Sequence, residues 1–164
     1  MSMLRSMLSA ALCVPVVIFS GCSTPPQATE APATPTLTAQ IAAKYKGDQL
    51  YQALGGQAGI AAIVETFLYR MADDDRVVRR FDPKQIDHVQ KVLNEQVCML
   101  SGGPCLYSGD PMVRVHRGLN ITEAEYQAVV EDFTYALYQQ NVPALTQHQL
   151  LERMAQLHDD IVGL

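Results

Sequence analysis

From about residue 48 onward, apolar residues recur every three or four positions, the spacing of one helix face rather than the alternation of a strand. Ile60, Ile63, Val64, Phe67, Leu68 and Met71 form one such stripe after Gly55-Gly56, and Ile86, Val89, Leu93 and Leu100 form a second that stops at Ser101-Gly102-Gly103-Pro104. Tyr126, Val129, Val130, Phe133 and Leu137 make a third, opened by Thr122 and Glu125 at capping-box spacing. Leu150, Met154, Leu157 and Ile161 make the last. With a short entry helix over about 48–54, this pattern predicts an all-α domain over 48–164. A stretch over about 102–121 carries no period and reads as irregular, and so long a loop in a small domain is functional or is organised by something else.

Upstream of the helices the pattern disappears. "STPPQATEAPATPTLTAQ", from Ser23 to Gln40, has one charge and no apolar repeat, so residues 22–47 are expected to form an extended tether. Residues 1–21 hold a single charge, Arg5, followed by an apolar run that ends in small residues, the pattern of a secretory signal peptide. Because Ser20-Gly21 directly precedes Cys22, the stretch resembles a bacterial lipoprotein signal, which implies lipidation of Cys22 and a mature N-terminus there. An uncleaved membrane anchor and an ordinary signal peptide are the alternatives. Phe19 stands where that family usually has leucine, and Ser23 resembles the outer-membrane sorting pattern. The expected location is therefore the periplasmic face of a bacterial membrane, with the outer membrane favoured.

Composition narrows the chemistry. The 164 residues carry 12 Lys+Arg against 17 Asp+Glu, and loss of Arg5 with the leader takes the net charge from −5 to −6. An acidic surface without a basic stripe repels phosphate backbones, so nucleic acid is not expected as a partner. Of four cysteines, Cys13 and Cys22 fall in the leader and at the lipid position, leaving Cys98 and Cys105 in the folded part. In an oxidising compartment such a pair suggests a disulfide that closes a short loop and contributes roughly 2–3 kcal/mol on the chain-entropy model. Two buried free thiols are the other reading. Their seven-residue spacing matches no zinc knuckle.

His116, one of four histidines, stands between Arg114 and Arg117 just ahead of Gly118, inside the irregular stretch and off every apolar face. A porphyrin iron needs one neutral imidazole, apolar walls and an aromatic ring against the macrocycle, and His116, the helix over about 84–101 and Phe81 supply these. "LYQALGGQAGIAAIVETFLYRMADDDRVVRRF", followed by "SGGPCLYSGDPMVRVHRGLNIT", resembles the group 1 truncated haemoglobins over essentially all of 50–164. The motifs run in that family's order: L-Y-x-x-L-G-G, a helix ending at a phenylalanine, G-G-P-x-x-Y-x-G, and a histidine before a glycine and I-T. The resemblance implies a two-over-two helical sandwich around haem b. It places His116 as the proximal iron ligand, Phe81 as the ring wedging the haem and Tyr107 as the loop tyrosine.

On the distal face the chain departs from the family. Leu68 and Leu93 stand where members usually have a tyrosine and a glutamine, and Val89 occupies the other usual polar position. A donor facing bound dioxygen contributes roughly 1 kcal/mol or more in a dry pocket, and three aliphatic side chains donate nothing. Rapid oxygen loss is expected unless Tyr69 turns inward. His88 is read as a surface histidine with a sixth-ligand role as the sharper alternative, and His148 and His158 as solvated. Arg114, Arg117 and Lys91 are candidates for the haem propionates, and Asp73, Asp74 and Asp75 are read as a polar helix end rather than a calcium loop.

The function implied is reversible binding of a diatomic gas (oxygen, nitric oxide or carbon monoxide) with an unidentified reductant. A nitric oxide dioxygenase-like or peroxidase-like side activity is left open. Two alternatives come from other classes: a haem-based electron-transfer or redox-sensing lipoprotein, and a haem-free helical interaction module.

Overall fold

The structure, a computed structural model, describes residues 35–164. The leader, the lipidation candidate Cys22 and the first half of the tether lie outside the described residues. Seven α-helices are present among them: α1 Leu37–Lys44, α2 Gln49–Ala53, α3 Gly56–Ala72, α4 Ile86–Leu100, α5 Met112–His116, α6 Glu123–Gln139 and α7 Ala144–Ala155. Short 3-10 turns lie at Val78–Arg80, Pro83–Gln85 and His158–Asp160. The only strand-like feature among the described residues is an isolated bridge between Ile121 and Val162. No helix among them is long and apolar enough to cross a membrane.

α3 and α6 form the scaffold. The α3 stripe expected from the sequence, Ile60 to Met71, is buried in full, and from α6 Phe133, Ala136 and Leu137 pack against it. Phe67 meets Phe133 edge to face, with ring centroids 5.1 Å apart, the arrangement that aligns ring edge with ring face. The capping box at the start of α6 is formed in both directions: Thr122 Oγ1 accepts from the Glu125 N–H, and Glu125 accepts from the Thr122 N–H at 2.8 Å.

Beside the ring contact, Arg70 donates to Asp132 at 2.9 Å, while Arg76 joins Asp74 to Glu131. Asp74 also accepts the Arg76 N–H at 2.8 Å, and these bonds hold its carboxyl down to about 2. The three-aspartate run therefore ends α3 in a turn closed by Asp74. Asp132 is 1% exposed with Oδ2 unpartnered, and burial pushes its pKa up.

Two sequence expectations are corrected. The segment assigned to the tether contains α1, whose Thr36 cap accepts from Ala39 N–H at 3.2 Å and whose Thr38 and Ile41 are buried. Leu37 and Ile41, four apart, lie on one helix face and join Leu100, Met112 and Leu157 in a second apolar cluster. The folded domain thus begins ahead of Asp48. The last helix ends at Ala155 rather than running through Ile161, yet Leu157 and Ile161 still pack in that second cluster.

α4 stops where Gly102 takes φ +87°, a conformation favourable to glycine, and a Cβ there would collide with the Gly47 carbonyl. This turn brings the loop over 102–111 back along α4. The cysteine pair fastens it: Cys98 on α4 and Cys105 in the loop are joined as a disulfide, Cα atoms 5.9 Å apart.

Candidate functional site

Between α3, α4, α6 and α7 lies a cavity of about 680 Å³, closed on one side by α5. Its inner wall is apolar: Phe67 and Met71 from α3, Val89 and Leu93 from α4, Val129 and Phe133 from α6. Phe81, just after the 3-10 turn Val78–Arg80, stands at one side, and Tyr107 of the loop at another. Tyr107 donates to the Asp110 carbonyl at 3.0 Å, and its burial pushes the phenol pKa up.

His116 ends α5 and faces this cavity. Its Nδ1 lies 2.9 Å from the Met112 carbonyl oxygen, four residues back in the same helix. A carbonyl only accepts, so Nδ1 carries the hydrogen and Nε2 keeps its lone pair, the tautomer that ligates a metal. Met112 is buried in the second cluster and holds the start of α5 in place. The donor set, one oriented imidazole above an apolar cavity, fits a haem.

Of the residues singled out on sequence grounds, His116, Phe81, Val89, Leu93 and Tyr107 line the cavity. Leu68 does not, which corrects its assignment to the pocket. It is 9% exposed and belongs to the main core, while Phe67 and Met71 supply the α3 wall. Residues four apart stack on one helix face, and position 68 lies about 100° around from 67. Tyr69 is 69% exposed and so adds no donor. His88 is exposed at the cavity mouth.

The propionate candidates fall elsewhere. Arg114 pairs with Asp110 at 2.9 Å, and Lys91 with Ser108 and Glu95 on the outer side of α4. The basic side chain on the cavity is Arg80, which donates to Glu125 at 2.7 Å and to the Leu119 carbonyl at 3.1 Å. Sequence reasoning missed Arg80, and it also missed Gln96. Gln96 is 4% exposed and the one buried polar side chain on the cavity wall among the described residues. Its Nε2 lies 3.4 Å from Met112 Sδ, a weak bond that ties α4 to α5. The signal was present, since positions 89, 93 and 96 share the α4 face, but the Met112 partner lies sixteen residues away.

Residues 49–162 match the family described as bacterial-like globin. The chain belongs to that family. Among its relatives is a group 1 truncated haemoglobin of Tetrahymena thermophila, 33% identical over 92 residues, covering 56% of this chain and 76% of the relative. A group 1 truncated haemoglobin of Mycolicibacterium paratuberculosis is 29% identical over 118 residues, covering 72% and 87% respectively. The crystal structure of the Fe(III) form of the Tetrahymena pyriformis truncated haemoglobin superposes with a TM-score of 0.67 at 27% identity, over 70% of this chain and 98% of that one. The fold is that of the truncated haemoglobins, and the cofactor of this globin is haem. His116 and the apolar wall are the parts of the chain suited to hold it.

Proposed function

We propose that this globin holds haem b through His116 and reversibly binds a diatomic gas on the periplasmic face of a bacterial membrane, anchored by lipid at Cys22. Haem-based gas binding is the general property of the family; the periplasmic setting and the preference among gases are the finer reading. The observation that carries it is the fixed His116 ring, with Nδ1 committed to the Met112 carbonyl and Nε2 free on the cavity side. Haem held there would supply an iron able to take up a diatomic gas.

The chain's own residues then set which gas stays. Val89 and Leu93 donate nothing, and the one hydrogen bond that Gln96 makes, a weak one to Met112 Sδ, draws its amide towards α5. A ligand whose outer atom gathers negative charge, such as dioxygen, gains little here, and carbon monoxide or nitric oxide loses less by the absence of a donor. This wall also argues against efficient oxygen-dependent nitric oxide removal.

Absorption spectra in ferric, ferrous and carbonyl forms test the haem assignment. A Soret band that shifts with carbon monoxide and is lost in His116→Ala supports it. A colourless reconstituted protein, or a band indifferent to His116→Ala, overturns it in favour of a haem-free helical module. Membrane fractionation of the wild type against Cys22→Ser tests the anchor, and an unchanged distribution removes it.

A further inference from the structure

A second, smaller cavity of about 230 Å³ lies between the start of α3 and the outer side of α4, away from His116. Its lining includes both disulfide partners, Cys98 and Cys105, together with Gln57, Lys91, Asn94 and Glu95. Positions 91, 94, 95 and 98 fall three, four and seven residues apart, so α4 presents an ammonium, an amide, a carboxylate and a sulfur along one stripe. Ile60 and Ala61 add an apolar wall. Asn94 Oδ1 is buried and makes no hydrogen bond, one of two such side-chain atoms among the described residues. Buried acceptors are nearly always paired, and a turn of the Asn94 side chain towards the cavity would let this one pair with a donor from outside the chain.

The charges in this cleft are of opposite sign and close. Glu95 takes the Ser108 N–H at 2.8 Å and the Ser108 hydroxyl at 2.6 Å, bonds that hold its carboxyl below the usual range and keep it anionic. Lys91 Nζ lies 3.3 Å from Glu95 and 2.9 Å from Ser108. A molecule with an ammonium at one end and a carboxylate at the other would find Glu95 and Asn94 for the first and Lys91 for the second. The volume suits something of amino-acid size. The reactive group beside it is a disulfide.

We propose that this cleft is a docking site for a low-molecular-weight thiol carrying both an ammonium and a carboxylate, and that the docked thiol exchanges with the Cys98–Cys105 disulfide. Cys105 is the partly exposed sulfur and Cys98 is 2% exposed, so the ligand's thiolate attacks Cys105 Sγ. A new S–S bond forms between ligand and Cys105, the Cys98–Cys105 bond breaks, and its electron pair goes to Cys98 Sγ. Cys98 then takes up the proton that the ligand thiol released, and as a neutral thiol it suits its buried position. The product is a mixed disulfide on Cys105. A second ligand thiol attacking the ligand's own sulfur in that adduct would release the ligand's symmetrical disulfide and leave the Cys105 thiol. Exchange unfastens the loop over 102–111 at its disulfide, leaving the Glu95–Ser108 and Lys91–Ser108 links in place.

The test compares thiols on the full-length holoprotein by intact mass, with L-cysteine, its methyl ester, N-acetylcysteine and mercaptoethanol as probes. After correction for thiol pKa, L-cysteine is expected to form the Cys105 adduct about tenfold faster than mercaptoethanol, with each singly blocked probe in between. Lys91→Ala and Asn94→Leu should bring the L-cysteine rate down towards that of mercaptoethanol. Because Lys91 also fastens the loop, a merely loosened clasp would raise all rates together, whereas Asn94→Leu leaves both Ser108 links untouched. Rates that follow thiol pKa alone, an adduct on Cys98, or no adduct at all would overturn the proposal. None of these outcomes depends on gas binding, so the test is separate from that of the haem site.

Discussion

The two sides of the haem cavity are built in different ways. The α3–α6 side consists of two 17-residue helices joined by continuous apolar stripes, the Phe67–Phe133 contact and the Arg70–Asp132 bridge. The α5 side is a five-residue helix, too short to stand by itself, placed by one buried methionine, the Gln96 contact and a loop clasped to α4. The long helices supply shape and stability, while the short one supplies the only metal ligand this cavity needs. Stability and function are therefore separable by mutation.

The sharpest separation comes from His116. Its replacement by alanine removes the iron ligand and should weaken haem retention by about 100-fold or more, exceeding what loss of an outer-shell partner does to a metal site. The apoprotein should lose no more than about 1.5 kcal/mol, the value of one hydrogen bond to Met112. Haem transfer to an acceptor globin reads the first quantity, and urea unfolding of the apoprotein reads the second. Comparable damage to both would show that α5 is part of the scaffold after all.

Leu137→Ala makes the opposite cut, at a fully buried side chain of the α3–α6 core that does not line the haem cavity. Its loss should destabilise the apoprotein by about 2–5 kcal/mol. His116 keeps its own helix and its Nδ1 bond, so whatever fraction remains folded should still give a five-coordinate ferrous spectrum. Urea midpoints with and without haem, followed by the ferrous spectrum, check both halves.

How far the chain's pattern reveals this organisation depends on length. α3, α4 and α6 each span several turns, long enough for an apolar stripe to repeat, and their capping box and terminal glycine add punctuation. α1 is eight residues set in a proline- and threonine-rich context, so its two-residue stripe is hidden by its neighbours. At the site, His116, Phe81, Val89 and Leu93 are legible because motif order carries them. Leu68 is misplaced because one residue along a helix rotates a side chain by about 100°, which alignment to a motif does not resolve. Gln96–Met112 and Arg80–Glu125 are tertiary pairs between helices or turns, invisible to any local period.

One turn of α4 before Gln96, Leu93→Gln adds a second amide to the cavity wall. If the new side chain reaches the open face of the iron, oxygen dissociation should slow by about fivefold, corresponding to roughly 1 kcal/mol for one hydrogen bond. Carbon monoxide dissociation should move less, because its outer atom gathers less charge. Rapid-mixing and flash-photolysis rates decide it, and a wild-type oxygen off-rate slower than the variant's would contradict the donor-free reading.

The smallest effect lies at the cavity mouth, where Glu125 caps α6 and receives Arg80. Hydrogen bonds from the Thr122 N–H, the Thr122 hydroxyl and Arg80 hold its pKa at about 2, below its ordinary 4.5. A carboxyl with a depressed folded-state pKa stabilises the fold fully above its unfolded value, and that contribution is lost as pH falls through the folded one. The wild type should therefore lose part of its margin between about pH 4.5 and 2, and Glu125→Gln should lack that part of the slope. His158 acts in the other direction. Bonds to Asp159 and Glu123 raise its pKa above 6.5, so its contribution is complete below 6.5 and disappears as pH rises through the raised value. Urea midpoints across pH for the wild type, Glu125→Gln and His158→Gln should then show an acid limb that the cap shares with Asp74 and Glu95, smaller in Glu125→Gln, and an upper limb owed to the imidazole. If removing Glu125 leaves the acid limb unchanged, the α6 cap and its arginine do not stabilise the mouth of the cavity, and the limb belongs to Asp74 and Glu95.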